Sequence, residues 1–382
     1  MSTPARTGLR PATKWALLLL ALSPFALAVP ELLNDEAAVA PLPALAPRPE
    51  GTRISVEQLR PVTGFALNAH HIGDVDLYLA SVDRIADLGA NAIIVFTPMF
   101  QEKVHSSEIR FVPEKCATDE QLIAILQRAR LRGLQTTLVP VVLIEKPAAK
   151  EWRGLIEPDD WNAWWSSYNA FIDPFVNIAN AAEVDLLAIG SELNSTEDEM
   201  DQSESLIASV RRRFDGELTY SANWDRYEKV TLWPLVDVIA VSSYFELERD
   251  DPEATEVELA RAWGPERARL MSFARKAGQP LLLSEVGYPT LPWAHQHPWN
   301  YITKDGVEAD PEAQARCWKA FFRAWTDELA DPDCPIAGFF GYHWDPYRQG
   351  DANDMGYGIA GKPSLEIVRN GIARIRRAGS PS

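Results

Sequence analysis

The stretch VDLLAIGSELN, residues 184–194, carries the reading of the fold: a short, mostly apolar run breaks off into Ser191, Glu192 and Asn194. A run of this length bounded by polar residues reads as a strand. Working outward, the same signature recurs. Candidate strands lie at Gly64–Asn68, Ala90–Thr97, Leu134–Val142, Val184–Gly190, Leu218–Asn223, Val236–Tyr244, Pro280–Glu285 and Ile336–Trp344, and each ends in polar or aromatic residues. Amphipathic stretches separate them. In Asp119–Arg132, Leu122, Ile125, Leu126 and Ala129 fall on one helix face before a stop at Gly133. Eight strand-helix units in succession predict a closed parallel (β/α)8 TIM barrel, a single α/β domain. An open doubly wound sheet is the competing architecture, but no glycine-rich phosphate loop follows the first strand.

The 382 residues suit one large barrel with its connecting loops. Lys and Arg number 37 against 54 Asp and Glu, giving a formal charge of −17 that repels polyanions. Nucleic acid and anionic membrane surfaces are thereby excluded as partners, and a neutral or cationic ligand is expected. Arg6, Arg10 and Lys14 precede an apolar run from Trp15 to Leu22, and Ala26-Leu27-Ala28 offers a cleavage site, so residues 1–28 read as an export signal. The run is short for a membrane span, although an uncleaved anchor is the alternative. Residues 29–51, rich in Ala and Pro and without helical or strand period, read as a linker, leaving 52–382 for the barrel. Cys116, Cys317 and Cys334 are too few and too scattered for a disulfide framework or a zinc site, and read as buried or half-buried thiols.

In a barrel of this kind, function is built where the strands end, on the loops of the carboxyl-terminal face. The expected strand ends are Asn68-Ala-His70-His71, Thr97-Pro-Met-Phe-Gln101, Ser191-Glu192-Leu-Asn194, Asn223-Trp224-Asp225, Ser243-Tyr244-Phe245, Ser284-Glu285-Val-Gly287-Tyr288 and His343-Trp344-Asp345. Two glutamates, aromatic rings, amides and hydroxyls therefore converge on one rim. Glycosidic bond cleavage needs this set: one carboxyl group protonates the leaving oxygen, a second carboxylate attacks or activates water, and aromatic faces stack on sugar rings. Glu192 and Glu285, each closing an apolar strand, are the candidates, and position alone does not say which of them attacks. Most glutamates in an acidic chain are solvated surface residues, so the rim position is what distinguishes these two. A metal site is disfavoured: no His/Asp pair at ligand spacing accompanies the glutamates, and His70 and His71, adjacent on a strand, point to opposite sides. Trp161, Trp164 and Trp165 stand at helical spacing, which assigns at least one to the core; Trp293 and Trp299 fit either a barrel cap or a distal subsite.

Between Gly64 and Trp344 a series of motifs resembles glycoside hydrolase family 113, a clan A group typified by endo-β-1,4-mannanases. They are SSEIRF at 106–111, TDEQLIAILQRARLRGL at 118–134, WRGLIEP at 152–158, IGSELNS at 189–195, LTYSANWD at 218–225, VDVIAVSSYFEL at 236–247, LLLSEVGYPT at 281–290 and GYHWDP at 341–346. The resemblance implies a retaining double displacement with Glu192 as acid/base and Glu285 as nucleophile. Tyr244 is then expected to donate its hydroxyl to Glu285, Trp344 to form the platform under the sugar at the cleavage subsite, and Asn223, Trp224, Trp152 and Arg153 to extend the cleft. The implied enzyme is exported, secreted or periplasmic, needs no metal or organic cofactor, and acts as a monomer on an oligo- or polysaccharide. It has no stable membrane partner unless the N-terminal segment stays uncleaved.

The chain departs from the family pattern after the third strand. Where members carry a basic and imidazole-bearing K-P-H-V-D stretch, it reads Val139-Pro140-Val141-Val142-Leu143, and the second strand ends in Met99-Phe100-Gln101. An apolar wall cannot hydrogen-bond a hydroxyl that a polar wall reads, so another β-linked glycan is the competing substrate. A glycan-binding barrel without turnover is the competing class, and the survival of both glutamates argues against it.

Overall fold

The computed structural model of the chain describes residues 39–302, 306–351 and 353–379. The export signal expected at 1–28 lies outside the described residues, as does the first part of the expected linker. The described residues form one compact unit. Eight strands run parallel: β1 (Val62–Asn68), β2 (Ala92–Gln101), β3 (Gln135–Ile144), β4 (Leu186–Ser191), β5 (Glu217–Asn223), β6 (Val238–Ser242), β7 (Leu281–Val286) and β8 (Ile336–Trp344). Each pairs with the next, and β1 pairs with both β2 and β8, so the sheet closes into a (β/α)8 barrel. A two-residue strand, Ile109–Arg110, adds antiparallel to the outer end of β2.

Helices α1 (Val75–Asp87), α2 (Asp119–Leu131), α3 (Trp161–Ala181), α4 (Met200–Arg211), α5 (Glu256–Ala277), α6 (Pro311–Ala330) and α7 (Ser364–Ala378) follow the strands, except after β5. There the connection is two single 3-10 turns, Tyr227–Lys229 and Trp233–Leu235. The helix bounds follow local chemistry. Thr118 and Gln121 cap each other's backbone at the start of α2, Thr255 and Glu258 do so at α5, and Gly278 ends α5 in the left-handed region.

Strand alternation sorts side chains into two apolar layers. Ala66, Ile94, Phe96, Val139, Val141, Leu186, Ala188, Val238, Leu282 and Phe340 fill the barrel. Phe65, Leu67, Ile93, Val95, Leu138, Leu187, Ile189, Ile239, Val241, Leu283 and Phe339 face the helices. Gly64 makes room inside for Phe340, whose ring atoms would lie 2.3 Å from any Cβ at that position. Trp164 and Trp165 are buried in the helix-facing layer, in accord with their spacing, and the Trp164 indole donates to Gln101 Oε1 at 2.8 Å. All three cysteines are buried free thiols.

The spacer reading of residues 29–51 fails for its second half. Leu42 and Leu45 pack on the helix-facing layer. Arg48 pairs with Asp185 at the foot of β4, its Nη2 donating to Oδ1 at 2.6 Å, with side-chain exposures of 4% and 0%. Asp185 also accepts from the Ile54 and Thr136 amides, each at 2.8 Å, so one carboxylate ties this segment to two strands. Removing one member of such a buried pair strands the other charge. Asp185→Ala is therefore expected to lower unfolding free energy by ~3–5 kcal/mol in urea titration. Lys115→Ala, which breaks an exposed pair with Glu145, is expected to cost below ~1 kcal/mol. Equal losses for the two variants would contradict the docking of this segment.

Candidate active site

Glu192 and Glu285 reach the barrel mouth through local irregularities in the ladder. Along β7, Leu281 and Leu283 face the helices, so strict alternation would send Glu285 outward as well. The register shifts here: Leu283 lies opposite Val241 but Glu285 lies opposite Ser242, which inserts one extra residue and turns Glu285 inward. A similar shift follows Ala188 on β4. Glu192 then takes a left-handed backbone, φ 53°, with its amide donating to Ser221 O at 2.8 Å. That conformation is costly for a residue with a Cβ, and such positions concentrate where a side chain must be aimed.

The two carboxylates are 7% and 5% exposed and have unequal partners. Glu285 Oε2 accepts the Tyr244 hydroxyl at 2.7 Å, and Oε1 accepts from Ser242 Oγ at 3.4 Å. Ser242 belongs to a buried hydroxyl layer, with Ser221 Oγ 3.3 Å from it and 2.8 Å from Ser284 Oγ. Glu192 Oε2 instead accepts from Arg153 Nη2 at 2.5 Å, while Arg153 Nε donates to Ser191 O at 3.2 Å. Burial first, and then the facing charge of Glu192, push the Glu285 carboxyl up to about 8, against the pull of Tyr244, Arg153 and Ser242. Glu285 therefore holds its proton well above the usual carboxylate range.

The expected site residues divide by position. Tyr244 is bonded to Glu285 as anticipated. Arg153 comes to the carboxylates themselves, holding Glu192, where the sequence reading has it extending the cleft; nothing in the spacing of WRGLIEP indicates that reach. Trp152, half-buried, lies against Gly154 in the same turn. Asn223, half-buried, ends β5, and Trp224 packs edge-on to Phe245 with centroids 5.7 Å apart. Trp344 does not open onto the site. It is 4% exposed in the helix-facing layer, edge-on to Phe65. On β8 strict alternation would put Trp344 inward with Phe340 and Tyr342, but the register against β1 slips by one residue between Gly341 and Trp344 and turns it outward. Tyr342 packs on the inner layer and on Tyr244 at 6.1 Å between centroids.

Sequence reasoning missed Tyr342, although it lies within GYHWDP and alternation from Phe340 assigns it inward. Its hydroxyl accepts from Asn68 Nδ2 at 2.9 Å, and Tyr357, which is 5.3 Å away, closes the aromatic wall beside Tyr244. Tyr357 comes from the loop after β8, where no period announces it. Trp293 is half-buried with its indole bonded to Asn300 O, while Trp299 is 47% exposed and donates to Glu246 Oε1 at 3.1 Å. The inward side of β3 presents Val139, Val141 and Leu143 to the barrel mouth, so the apolar wall read from the sequence is present.

A barrel whose mouth holds two buried carboxylates, hydroxyl donors and aromatic walls defines a glycoside hydrolase, and comparison with known families agrees. Residues 76–362 match the model of Glycoside Hydrolase Family 113, and the chain belongs to that family. Among solved structures it is similar to the GH113 beta-mannanase AaManA from Alicyclobacillus acidocaldarius in complex with ManMIm. That pair has 24% identity and a TM-score of 0.73, covering 84% of this chain and 100% of the other. A GH113 beta-1,4-mannanase solved as a complex gives 21% identity and a TM-score of 0.71, over 82% of this chain and 99% of that one. A more distant likeness is GH5 subfamily 18 from Streptomyces cattleya in complex with GlcNAc, at 17% identity and a TM-score of 0.56, covering 89% and 82%. A comparison with curated proteins gave no match.

The raised Glu285 sets a stability test. In the unfolded chain the group ionises near its ordinary 4.5, but in the folded one only near 8, so the folded state binds more protons between these values. Stability carried by this group is complete below 4.5 and is lost as pH rises through the window toward 8. Glu285→Gln removes that dependence. Calorimetry from pH 4 to 9 is expected to show similar melting temperatures at the acid end and a growing advantage for the variant that levels off near pH 8. A constant difference across the range would contradict the burial argument.

Proposed function

We propose that this glycoside hydrolase is an exported, retaining β-glycanase that cleaves β-1,4-mannosidic bonds in mannan or manno-oligosaccharides, with Glu285 as nucleophile and Glu192 as acid/base. The observation that carries the reading is the unequal dressing of one buried carboxylate pair. Tyr244 and Ser242 donate to Glu285, which favours its charged form, as a nucleophile requires. Glu192, at the end of β4, accepts instead from the Arg153 guanidinium.

In the first step, Glu285 attacks the anomeric carbon while Glu192 gives its proton to the glycosidic oxygen, and the aglycone leaves. In the second, Glu192 takes a proton from water, which displaces Glu285 from the glycosyl ester and restores the starting pair. Arg153 gives up its bond to Glu192 when the glycosidic oxygen takes its place. No metal or organic cofactor enters either step. The mannan assignment draws on the similar family 113 structures, which are a beta-mannanase and a beta-1,4-mannanase. The apolar β3 wall favours a second reading, another β-linked glycan, because Val141 and Leu143 offer no hydrogen bond to a sugar hydroxyl. Export is inferred from residues 1–28.

Activity on mannan, glucomannan, xylan and β-glucan, with the first product followed by proton NMR, separates the readings. Mannan and glucomannan are expected to be cut, with the β-anomer formed first. Hydrolysis of a non-mannan alone would overturn the substrate, and an α-anomer formed first would overturn the double displacement.

A further inference from the structure

The turn that lifts Glu192 off β4 is held from behind by a chain of buried polar groups that takes no part in the reaction itself. The Leu193 amide, next to Glu192, donates to the Tyr220 hydroxyl at 2.8 Å. That hydroxyl donates in turn to Glu197 Oε1 at 2.9 Å, and Glu197 Oε2 accepts from Arg226 Nε at 3.2 Å. The Glu197 side chain is fully buried, and its backbone carbonyl is tied down by Thr231 Oγ1 at 2.7 Å. Tyr220 is buried too, on the helix-facing side of β5, with its ring against Trp233. A buried carboxylate with one partly exposed cation is an expensive device for packing alone. Its chemistry suits a directional task.

A tyrosine hydroxyl has one proton and can send it to any acceptor. With Glu197 fixed beyond it, the proton points away from the turn, and the oxygen lone pairs face the Leu193 amide. Each bond polarises the next, so the amide meets a stronger acceptor than an isolated phenol offers. Glu192 needs such a hold because its own backbone sits at φ 53°, a conformation that relaxes unless its neighbours over-determine it. Other supports of the turn are the Glu192 amide bond to Ser221 O at 2.8 Å, the Arg153 Nε bond to Ser191 O at 3.2 Å, the Tyr168 hydroxyl bond to Ile189 O at 2.6 Å, and the bonds of Thr196 N and Oγ1 to Leu193 O, each at 2.9 Å. The first three act before the Glu192 side chain and the Thr196 bonds hold the far side of Leu193, while the Tyr220 bond holds the amide directly joined to Glu192.

We infer that Tyr220 and Glu197 are positioning residues for the acid/base: together they hold the Leu193 amide so that the Glu192 carboxyl stays aimed at the glycosidic oxygen. The inference rests on the assignment of Glu192 as acid/base. It places the effect on proton delivery to the leaving group and leaves the attack by Glu285 untouched.

Leaving-group dependence provides the test. kcat/KM reports the first chemical step, which needs the acid for a sugar leaving group but not for dinitrophenolate. For Tyr220→Phe, kcat/KM on mannohexaose is expected to fall roughly tenfold, a fraction of the 10²–10⁴ that general acid catalysis supplies. On 2,4-dinitrophenyl β-mannobioside it is expected to stay within about twofold of wild type. Equal losses on both substrates, or no loss on either, would overturn the inference. Glu197→Gln, which keeps the shape of the acceptor without its charge, carries the same test should Tyr220→Phe fail to fold, with a smaller loss confined to mannohexaose. Glu192→Ala is the control: if it shows no leaving-group dependence, the acid/base assignment itself fails, and wild-type inertness toward both substrates would instead refute the mannoside reading.

Discussion

Two carboxylates withdrawn from water and facing each other at the mouth of the barrel are the constraint around which the rest is arranged. Burial makes ionisation of Glu285 costly, and the charge of Glu192 makes it costlier still. The surroundings answer the two sides differently. Hydroxyls from β6 and its following loop face Glu285, and a guanidinium from the loop after β3 faces Glu192. Burial and repulsion still leave Glu285 with a raised proton affinity.

The scaffold delivers those side chains by breaking its own rules at chosen places. Regular alternation fills the barrel with Ala66, Ile94, Val139, Leu186 and Phe340 and sends their neighbours to the helices. Register shifts on β4 and β7 suspend that alternation at the two glutamates. A strained backbone at Glu192 follows from the first, and the buried serine layer under Glu285 accompanies the second. Stability is supplied elsewhere, at the opposite end of the barrel, where Arg48, Asp185 and the strand amides lock the incoming chain to the foot of β4.

The fold was largely legible because its signal is repeated. Each of the eight strands carries its own apolar run, and ends drift by a few residues only where tertiary pairing decides them, as on β2, lengthened by its pairing with Ile109–Arg110. The glutamates were legible from their place after such runs, and their roles came from the family likeness. What the sequence hid depends on parity and reach. Trp344 looks like a rim aromatic, and strict alternation on β8 would keep it inward with Tyr342; the extra residue between Gly341 and Trp344 in the pairing with β1, which no pattern announces, sends it among the helices. Arg153 crosses to Glu192 from a loop whose path no period encodes, and Tyr357 arrives the same way. Residues 39–51 read as a spacer because proline and alanine carry no period, yet Leu42, Leu45 and Arg48 find partners across the barrel foot.

The division of labour between the two carboxylates is most directly tested by azide rescue of Glu285→Gly and Glu192→Ala on an activated β-mannoside. In the first variant azide has room to attack the sugar directly, and the account predicts an α-mannosyl azide. In the second, Glu285 still forms the glycosyl ester and azide displaces it, giving the β-mannosyl azide. A β-azide from Glu285→Gly together with an α-azide from Glu192→Ala would exchange the two roles and contradict the account.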